Sequence, residues 1–418
     1  MASQTTTSSP APLDLSRWRK VPKMAIVAGL IFLVLGAVVE GSHGSSVLLR
    51  QFGFSWLVGF MFFLSLCLGG LFLVIAHHLF DASWSVPIRR YCEHLACLSA
   101  PLAILFIPIA VLAHKMYPWM FETPDHALRA KQAMLNPTFF YFRIVAYFVI
   151  WIALSFSLRR FSVAQDKDGA AGWTNRMRVA SYFGIFLFAI TLTFAAIDWM
   201  KSLQHQWFST MYGVWYFAAS VWVALPTVYL IAVILKQQGP LREVVQEKQI
   251  YFIGSLMLAF TVFWAYISFS QYFIIWNANM PEETFWYVLR EKGTWWDVSM
   301  IIIFCHFFLP FLMLLRIDWK LKLTVMVPLC FWAWLMHFFD ISFNILPAGR
   351  PDGFSFQWLW LDLGCMAFIG GVLTKVFVRN LNAHPACPQK DPRLAEGLDI
   401  YVPAPPSGGA APSHGGAE

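Results

Sequence analysis

Long apolar stretches, separated by short polar segments, dominate the pattern of residues along this chain. The stretches lack the strict alternation that a lipid-facing strand requires. A helix of about 20 residues crosses the roughly 30 Å hydrocarbon layer of a bilayer and satisfies its own backbone hydrogen bonds. The pattern therefore predicts ten membrane-spanning helices, numbered here as spans 1 to 10: 24–41, 54–80, 95–113, 138–158, 179–200, 207–235, 250–272, 296–315, 323–341 and 357–378.

The composition is that of a chain that folds in lipid. Hydrophobic residues make up 58% and charged residues 13% of its 418 residues, and the mean hydropathy is +0.59. A water-soluble protein of this length cannot bury so much apolar surface. Lys and Arg are concentrated in the loops on the side of the N-terminus, which predicts that both termini are cytoplasmic. The net charge of +7 thus reflects topology and gives no reason to expect nucleic-acid binding.

Two outer loops share a sequence pattern. "WMFETPDHALRAK" (119–131) follows span 3, and "WNANMPEETFWYVLREK" (276–292) follows span 7. Each contains a Trp, a Pro five residues later and then Leu-Arg-x-Lys, for which we expect short helices at the membrane surface. Four spans separate the copies, so we predict an all-α integral membrane protein with two parallel four-helix bundles. Spans 2 to 5 form one bundle, spans 6 to 9 form the other, and spans 1 and 10 are peripheral.

These assignments divide the chain into six segments. Both tails have the polar, Pro-rich composition of segments that cannot form a core. The predicted segments are a disordered cytoplasmic tail (1–20), peripheral helix 1 (21–53), the first bundle (54–205), the second bundle (206–345), peripheral helix 10 (346–380) and a flexible cytoplasmic tail (381–418).

Titratable residues inside the apolar stretches are candidates for function, because placing one at the bilayer centre raises the free energy of insertion by about 2.5 to 3.5 kcal/mol. Seven of them are predicted at one level near the outer face: Glu40, Arg143, Asp198, Asp297, His337, Asp340 and Asp362. Four others are predicted near the cytoplasmic face: His77, His78, Glu93 and His94. The second group suits the uptake of protons from the cytoplasm, and the alternative is a solvated helix end.

His337 and Asp340 are three residues apart, so they share a helical face and can touch. An Asp that accepts a hydrogen bond from one imidazole nitrogen fixes the tautomer and makes the other nitrogen more basic. Such a pair, in a site lined by Trp332 and Trp334, suits proton acceptance from a quinol or from water. In the structural alternative, Asp340 caps a helix end and His337 bonds a neighbouring span.

His306 lies midway along span 8, where water is scarcest, and is a candidate proton relay. As a relay it would join the outer group to hydroxyl groups on spans 5 and 7, although such groups also stabilise ordinary helix packing. They belong to Thr191, Thr193, Thr261, Tyr266 and Ser268. For Arg143 and Asp362 the structural alternative is an interhelical ion pair.

Metal and haem chemistry find little support in the sequence. There is no C-x-x-C motif and no spaced cluster of metal ligands, so the seven cysteines are interpreted as small buried hydrophobic residues. A b-type haem needs two histidines at similar depth on facing helices. His306 and His337 are predicted to differ in depth by about 9 Å at 1.5 Å per residue.

The chain resembles the NrfD-like family, whose members include the membrane subunit of polysulfide reductase. Within that family it looks most like the F subunits of bacterial alternative complex III. The resemblance covers roughly residues 20–380. It rests on the ten spans, the paired bundles, the cytoplasmic ends and two segments, "WAWLMHFFD" (332–340) and "FSQYFIIWNANMPEETFWYVLREKGTWWD" (269–297).

This resemblance implies a cofactor-free subunit of a respiratory quinol:cytochrome c oxidoreductase in a bacterial inner membrane, not an enzyme on its own. The subunit would support assembly and contribute proton translocation and quinone or menaquinone binding. Implied partners are a paralogous NrfD-like subunit holding the better supported quinol site, an iron–sulfur subunit, multihaem cytochrome c subunits, a terminal oxidase and lipids. Haems and iron–sulfur clusters would lie in partners only. Two alternatives remain open: the quinone-binding anchor of a molybdenum-type reductase, and a secondary transporter, which would have broken helices at the midplane.

Overall fold

The structure, a computed structural model, describes residues 20–40, 44–239, 241–242 and 244–398, with the side chains of residues 39 and 40 excluded. In this part of the chain the regular structure is helical and contains no strand. The helices are α1 (Val21–Glu40), α2 (Ser45–Leu79), α3 (Val86–Ala96), α4 (Ser99–Leu105), α5 (Ile107–Met116), α6 (His126–Lys131), α7 (Pro137–Asp168), α8 (Ala171–Trp199), α9 (Tyr212–Gln237), α10 (Glu247–Ala278), α11 (Pro281–Arg290), α12 (Thr294–Ile301), a π-helix (Ile302–Phe308), α13 (Leu309–Leu315), α14 (Ile317–Leu321), α15 (Leu323–Ile345), α16 (Leu359–Ala383) and α17 (Leu394–Gly397).

The predicted all-α integral membrane fold with about ten spans is confirmed. Among the described residues, nine helical segments are long and apolar enough to cross a membrane, with α12, the π-helix and α13 forming one of them. The tenth span is the bent pair Ser83–Leu105 and Ile107–Met116, whose axes meet at 55°. Pro108 explains the bend, because it has no N–H to donate to the carbonyl group four residues earlier.

Helices α2 and α9 form the centre of the molecule. In each, 83% of the most apolar window is buried, against 39% in α7, α8 and α10. The two helices pack against each other and come close at Gly69, where a Cβ atom would lie 2.2 Å from the carbonyl oxygen of Ser220. Tyr216 of α9 donates a hydrogen bond to the carbonyl oxygen of Met61 in α2 at 2.9 Å. Small residues and interhelical hydrogen bonds are the usual means of helix association in lipid.

The remaining helices pack around this centre in two groups. Helices α2 to α5, α7 and α8 contact one another, as do α9, α10, α12, α13 and α15. Helix α1 packs along α16, and α16 packs on α2. Contacts also join the two groups, between α2 and α9, between α8 and α9 and between α2 and α15. The division into two bundles with two peripheral helices therefore stays a prediction, as does their common origin by duplication.

Both Leu-Arg-x-Lys segments form short helices, α6 and α11, as the sequence predicts. Asp125 caps α6 by accepting a hydrogen bond from the backbone N–H of Leu128 at 2.6 Å, which lowers the pKa of Asp125 to about 2. The two arginines differ in environment, since Arg129 of α6 is exposed and Arg290 of α11 is 1% exposed.

The predicted flexible tail, 381–418, is wrong for its first part. The described residues up to 398 return to the end of α3, where Asp391 accepts a hydrogen bond from Arg89. Burial opposes ionisation of Asp391, but the positive charges of Arg89 and Arg393 outweigh that effect and lower its pKa. Charge pairing therefore orders a segment whose composition indicated disorder. Residues 399–418 and almost all of the predicted N-terminal tail lie outside the described residues.

Candidate functional site: a buried carboxylate beside an apolar cleft

Asp340 lies within α15 and is 2% exposed. Its Oδ2 atom accepts a hydrogen bond from Nε1 of Trp264 on α10 at 3.0 Å and is 4.0 Å from Nε2 of His306. Among the described residues, no Lys or Arg pairs with this carboxylate. A buried carboxylate without a cation is unfavourable unless it can take up a proton. Asp340 is therefore a protonatable group rather than a structural ion-pair partner.

His306 belongs to the π-helix, and its side chain is fully buried. Its ring lies between Trp222 and Trp264, with centroid distances of 4.0 Å and 3.9 Å. Neither ring nitrogen has a hydrogen-bond partner in the described part of the chain. The wider helical turn precedes Pro310, which cannot donate to the carbonyl group of His306. Such widened turns occur often at functional sites.

His337 faces a different neighbour from Asp340, so the predicted contact between them is wrong. Its Nε2 atom is 2.8 Å from Oγ of Ser65 on α2, and its Nδ1 atom has no partner among the described residues. Trp222 lies beside both histidines, since its ring centroid is 6.4 Å from that of His337. The bond to a neighbouring span agrees with the structural alternative for His337.

The predicted aromatic lining of the pair is also wrong. Trp332 donates to the carbonyl oxygen of Cys305 at 2.9 Å, and Trp334 donates to Oγ1 of Thr227 at 2.9 Å. Neither indole lies beside the carboxylate, whose indole partner is Trp264. Asp340 is also not a helix cap, because α15 continues to Ile345.

Arg143 and Asp198 form an ion pair between α7 and α8. Nε and Nη2 of the guanidinium donate to the two carboxylate oxygens at 2.7 Å and 2.8 Å. Tyr147 donates to the same carboxylate at 2.7 Å, and Asp198 is fully buried. A bidentate pair with an added hydroxyl donor is a strong arrangement, so both residues have a structural explanation.

Asp362 also has a structural partner, although not on another spanning helix. Nη1 and Nη2 of Arg350, in the loop before α16, donate to its carboxylate oxygens at 2.8 Å and 3.0 Å. Ser55 of α2 donates to the same carboxylate at 2.5 Å. This buried set ties the peripheral helix α16 to the central helix α2.

Several predicted members of the proton site lie elsewhere. Asp297 is exposed, and Tyr266 is 64% exposed on α10, so neither belongs to the buried site. Thr191 accepts from Trp151 at 2.9 Å, far along the chain from His306, whereas Thr261 accepts from Trp222 at 2.9 Å and so belongs to its surroundings. The side chain of Glu40 lies outside the described residues.

The four residues predicted near the cytoplasmic face are buried, so a solvated helix end is the wrong interpretation. His77, His78, Glu93 and His94 are each at most 3% exposed. Arg89 donates to Glu93 at 3.1 Å and is 3.0 Å from Nε2 of His77. Both ring nitrogens of His78 and of His94 lack a partner among the described residues. The C-terminal segment covers this group, which the sequence pattern alone did not indicate.

An apolar cleft of about 550 Å³ reaches from the surface of the second bundle to Asp340. It lies between α9, α10, α11, the π-helix and α15. Its inner wall includes Trp264, Trp286 and Phe343, and large exposed side chains, among them Phe269 and Phe308, line its outer part. Phe269 and Phe308 lie on membrane-spanning helices, so the mouth of the cleft opens towards lipid.

Arg290 contributes the positive charge of the cleft. The guanidinium lies 3.4 Å from the ring centroid of Trp286 and donates to the backbone carbonyls of Phe343 and Asn344 at 2.9 Å and 3.2 Å. No carboxylate pairs with it among the described residues, and burial lowers its pKa to about 9. Arg290 is thus a buried cation held by neutral groups beside a cavity.

The sequence did not identify several residues of this site: Ser65, Trp222, Trp264 and Arg290. Arg290 is part of the Leu-Arg-x-Lys pattern, but that pattern gives no sign that its side chain turns inward. The two tryptophans are among 20 in the chain, and no local sequence feature distinguishes them from the others. Together these groups can accept a proton at Asp340 and hold a polar ring in the cleft.

Comparison with known proteins does not identify the chain. No protein-family model matches it, and no curated protein sequence matches it either.

Proposed function

We propose that this chain is a cofactor-free membrane subunit of a quinol-oxidising respiratory complex in a bacterial inner membrane, and that it accepts and passes on protons. The observation that carries the proposal is the position of Asp340. It is buried, has no Lys or Arg partner in the described part of the chain, and lies next to His306 on the wall of a lipid-facing cleft. An ionisable side chain kept at such a place in a membrane points to proton transfer.

The proton would move through residues of the second bundle and α2. Asp340 accepts it at a carboxylate oxygen and transfers it to Nε2 of His306. The 4.0 Å separation exceeds hydrogen-bond length, so a water molecule or a small rotation of the imidazole must bridge it. His337, which also lies beside Trp222, and its neighbour Ser65 continue the route.

The electrons would leave through other subunits. Oxidation of one quinol releases two electrons and two protons, and haems or iron–sulfur clusters of partner subunits would take the electrons. The NrfD-like resemblance supports this division of labour, as do the predicted cytoplasmic termini and the paired bundles. Partners proposed on the same ground are a paralogous membrane subunit, an iron–sulfur subunit, multihaem cytochromes c and a terminal oxidase.

Replacing Asp340 by Asn tests the proton role. The amide keeps the shape and can still accept the hydrogen bond from Trp264, but it cannot take up a proton. We expect quinol oxidation by the assembled complex to fall by about 10², the lower end of the contribution of general acid–base catalysis. Asp297→Asn is the matched control, because it makes the same change at an exposed carboxylate. Normal turnover in an assembled Asp340→Asn complex would refute the role.

Purification in mild detergent tests the wider assignment. We expect the tagged chain to retain subunits that contain haem and iron–sulfur clusters, visible in absorption and electron paramagnetic resonance spectra. A chain that purifies alone and transports a soluble substrate would contradict a respiratory role.

A further inference from the structure

We infer that Arg159, His94 and His384 bind a phosphate group at the end of the first bundle that is predicted to be cytoplasmic. The site lies between α3, α7 and the segment that follows α16. A phosphate site there needs neither quinol nor a partner subunit, and so goes beyond the proposed function. Three observations support it: donor groups from three parts of the chain converge, they lack partners among the described residues, and they leave a positive charge unbalanced.

The packing of α3 against α7 places His94 beside Arg159. Two hydrogen bonds from α3 to backbone carbonyl groups of α7 set the register: Cys97 to Ser155 at 3.5 Å and Arg90 to Ser162 at 3.4 Å. His94 lies four residues after one of these donors and three before the other, and Arg159 lies in the same way between the two acceptors. Residues at such spacings share a helical face, so His94 and Arg159 face each other.

His384, which follows α16, completes the group. Its ring stacks on that of His94, with 5.8 Å between the centroids and an angle of 15° between the planes. Burial lowers the pKa of His384, and the positive charges of Arg159 and Arg90 lower it further. Salt screens charges at longer range, so both guanidinium groups lie near the stacked rings.

The group offers donors that have no partner in the described part of the chain. These atoms are Nη1 of Arg159, Nη1 of Arg90 and both ring nitrogens of His94, and all of them are buried. A guanidinium only donates, and a neutral imidazole donates from one nitrogen. Buried donors without partners are unfavourable. A carboxylate has two oxygens in one plane, whereas a phosphate group presents three acceptor oxygens and so suits donors that come from two helices.

Arg159 leaves a positive charge unbalanced in this region. Glu93 pairs with Arg89 at 3.1 Å and lies 3.5 Å from Nε of Arg90, while Asp166 accepts from Nη2 of Arg90 at 2.6 Å. No carboxylate pairs with Arg159 among the described residues. The two nearby carboxylates are thus offset by other arginines, and an anion is attracted to Arg159, whose guanidinium matches the geometry of phosphate.

The site can be reached from lipid and from water. The guanidinium of Arg159 lies 4.8 Å from the ring centroid of Phe156, which is 39% exposed on the spanning helix α7. His384 is partly exposed beyond the end of α16. The phosphate group can therefore belong to the headgroup of an anionic phospholipid or to a soluble phosphate, and the same donors would hold either.

Binding to the delipidated full-length chain in detergent tests the site and identifies the source. Native mass spectrometry counts bound phosphatidylglycerol, with zwitterionic phosphatidylcholine of the same acyl chains for comparison, and equilibrium dialysis measures radiolabelled inorganic phosphate. One tightly bound phosphatidylglycerol per chain assigns the site to a lipid headgroup, and one bound phosphate assigns it to a soluble phosphate. Binding of neither, or equal retention of the two phospholipids without phosphate binding, would overturn the inference.

Two neighbouring arginines provide matched variants. Arg159→Gln removes the charge that faces His94, whereas Arg160→Gln removes the same charge from an exposed position on the same helix. Affinity for the bound species should fall about tenfold in the first variant and stay unchanged in the second. If Arg159→Gln does not fold, His94→Phe keeps a buried ring without its nitrogens and should lower the affinity about fivefold. Equal affinity in a folded site variant and in Arg160→Gln would contradict the site.

Discussion

Asp198 and Asp340 are the same residue type, each near the end of the last spanning helix of its group, and each is almost fully buried. Asp198 receives two N–H donors from Arg143 and one hydroxyl donor from Tyr147. Asp340 receives one indole N–H and has a histidine at 4.0 Å. The two carboxylates are therefore equally buried, but only Asp198 has its negative charge balanced by a cation among the described residues.

This difference separates a structural carboxylate from a reactive one. A buried carboxylate paired with Arg is held ionised, and removing its partner leaves an uncompensated charge. A buried carboxylate without a cation can change protonation at small cost, which is what proton transfer requires. The first bundle thus uses its buried charge to join helices, and the second keeps its own available beside a cavity.

Removal of Arg143 should have the largest effect on stability. Arg143→Met leaves Asp198 buried without a cation, which should lower the free energy of unfolding by about 3 to 5 kcal/mol. Unfolding in mixed micelles with increasing dodecyl sulfate measures the change. Arg160→Met, an exposed position on the same helix, is the control and should change little. An equally stable Arg143→Met variant would show that the ion pair contributes nothing.

Changing each carboxylate to an amide should lower stability at Asp198 and turnover at Asp340. Asp198→Asn deprives Arg143 of its counter-charge, so we expect a loss of about 2 kcal/mol in stability with normal turnover per assembled complex. Asp340→Asn should keep its stability, since it removes an unpaired buried carboxyl group, and lose turnover. Quinol oxidation and unfolding are measured on both variants. Similar losses of turnover in both would remove the distinction.

The two Leu-Arg-x-Lys helices offer a second comparison between the halves. Arg290→Gln removes hydrogen bonds to the carbonyls of Phe343 and Asn344 and should cost about 2 kcal/mol. Arg129→Gln changes an exposed side chain and should cost less than about 0.5 kcal/mol. Thermal unfolding in detergent measures both, and equal shifts in melting temperature would mean that burial of Arg290 has no consequence for stability.

A smaller effect is expected at two similar tryptophan–threonine bonds. Trp151 donates to Thr191 and Trp222 donates to Thr261, both at 2.9 Å. Each Thr→Val change should cost about 1 kcal/mol. Only Thr261→Val should also lower turnover, by a few-fold, because Trp222 packs on His306. A loss of turnover in Thr191→Val of the same size would show that the effect is general to helix packing.

The number of spans, the helical fold and the two short Leu-Arg-x-Lys helices follow from the sequence alone. The reason is that these features are local: lipid requires every span to satisfy its own backbone, so apolar length is enough to predict it. We also expected titratable groups inside spans to have a specific role, and Arg143 and Asp198 have one, because they pair with each other. The contact partner of a side chain and its exposure depend on the rest of the fold. Asp297 and Tyr266 show that a polar residue in a predicted span can be exposed on the protein surface.

Which side chains meet depends on how the helices pack. His337 and Asp340 are close in sequence but turn to α2 and α10, while His306 reaches Asp340 from another helix because the π-helix and the packing of α10 place it there. The order of residues 381–398 likewise depends on Arg89, which is distant in sequence. Helix packing sets these distances, and the sequence of a single span does not predict which neighbouring helix it will contact.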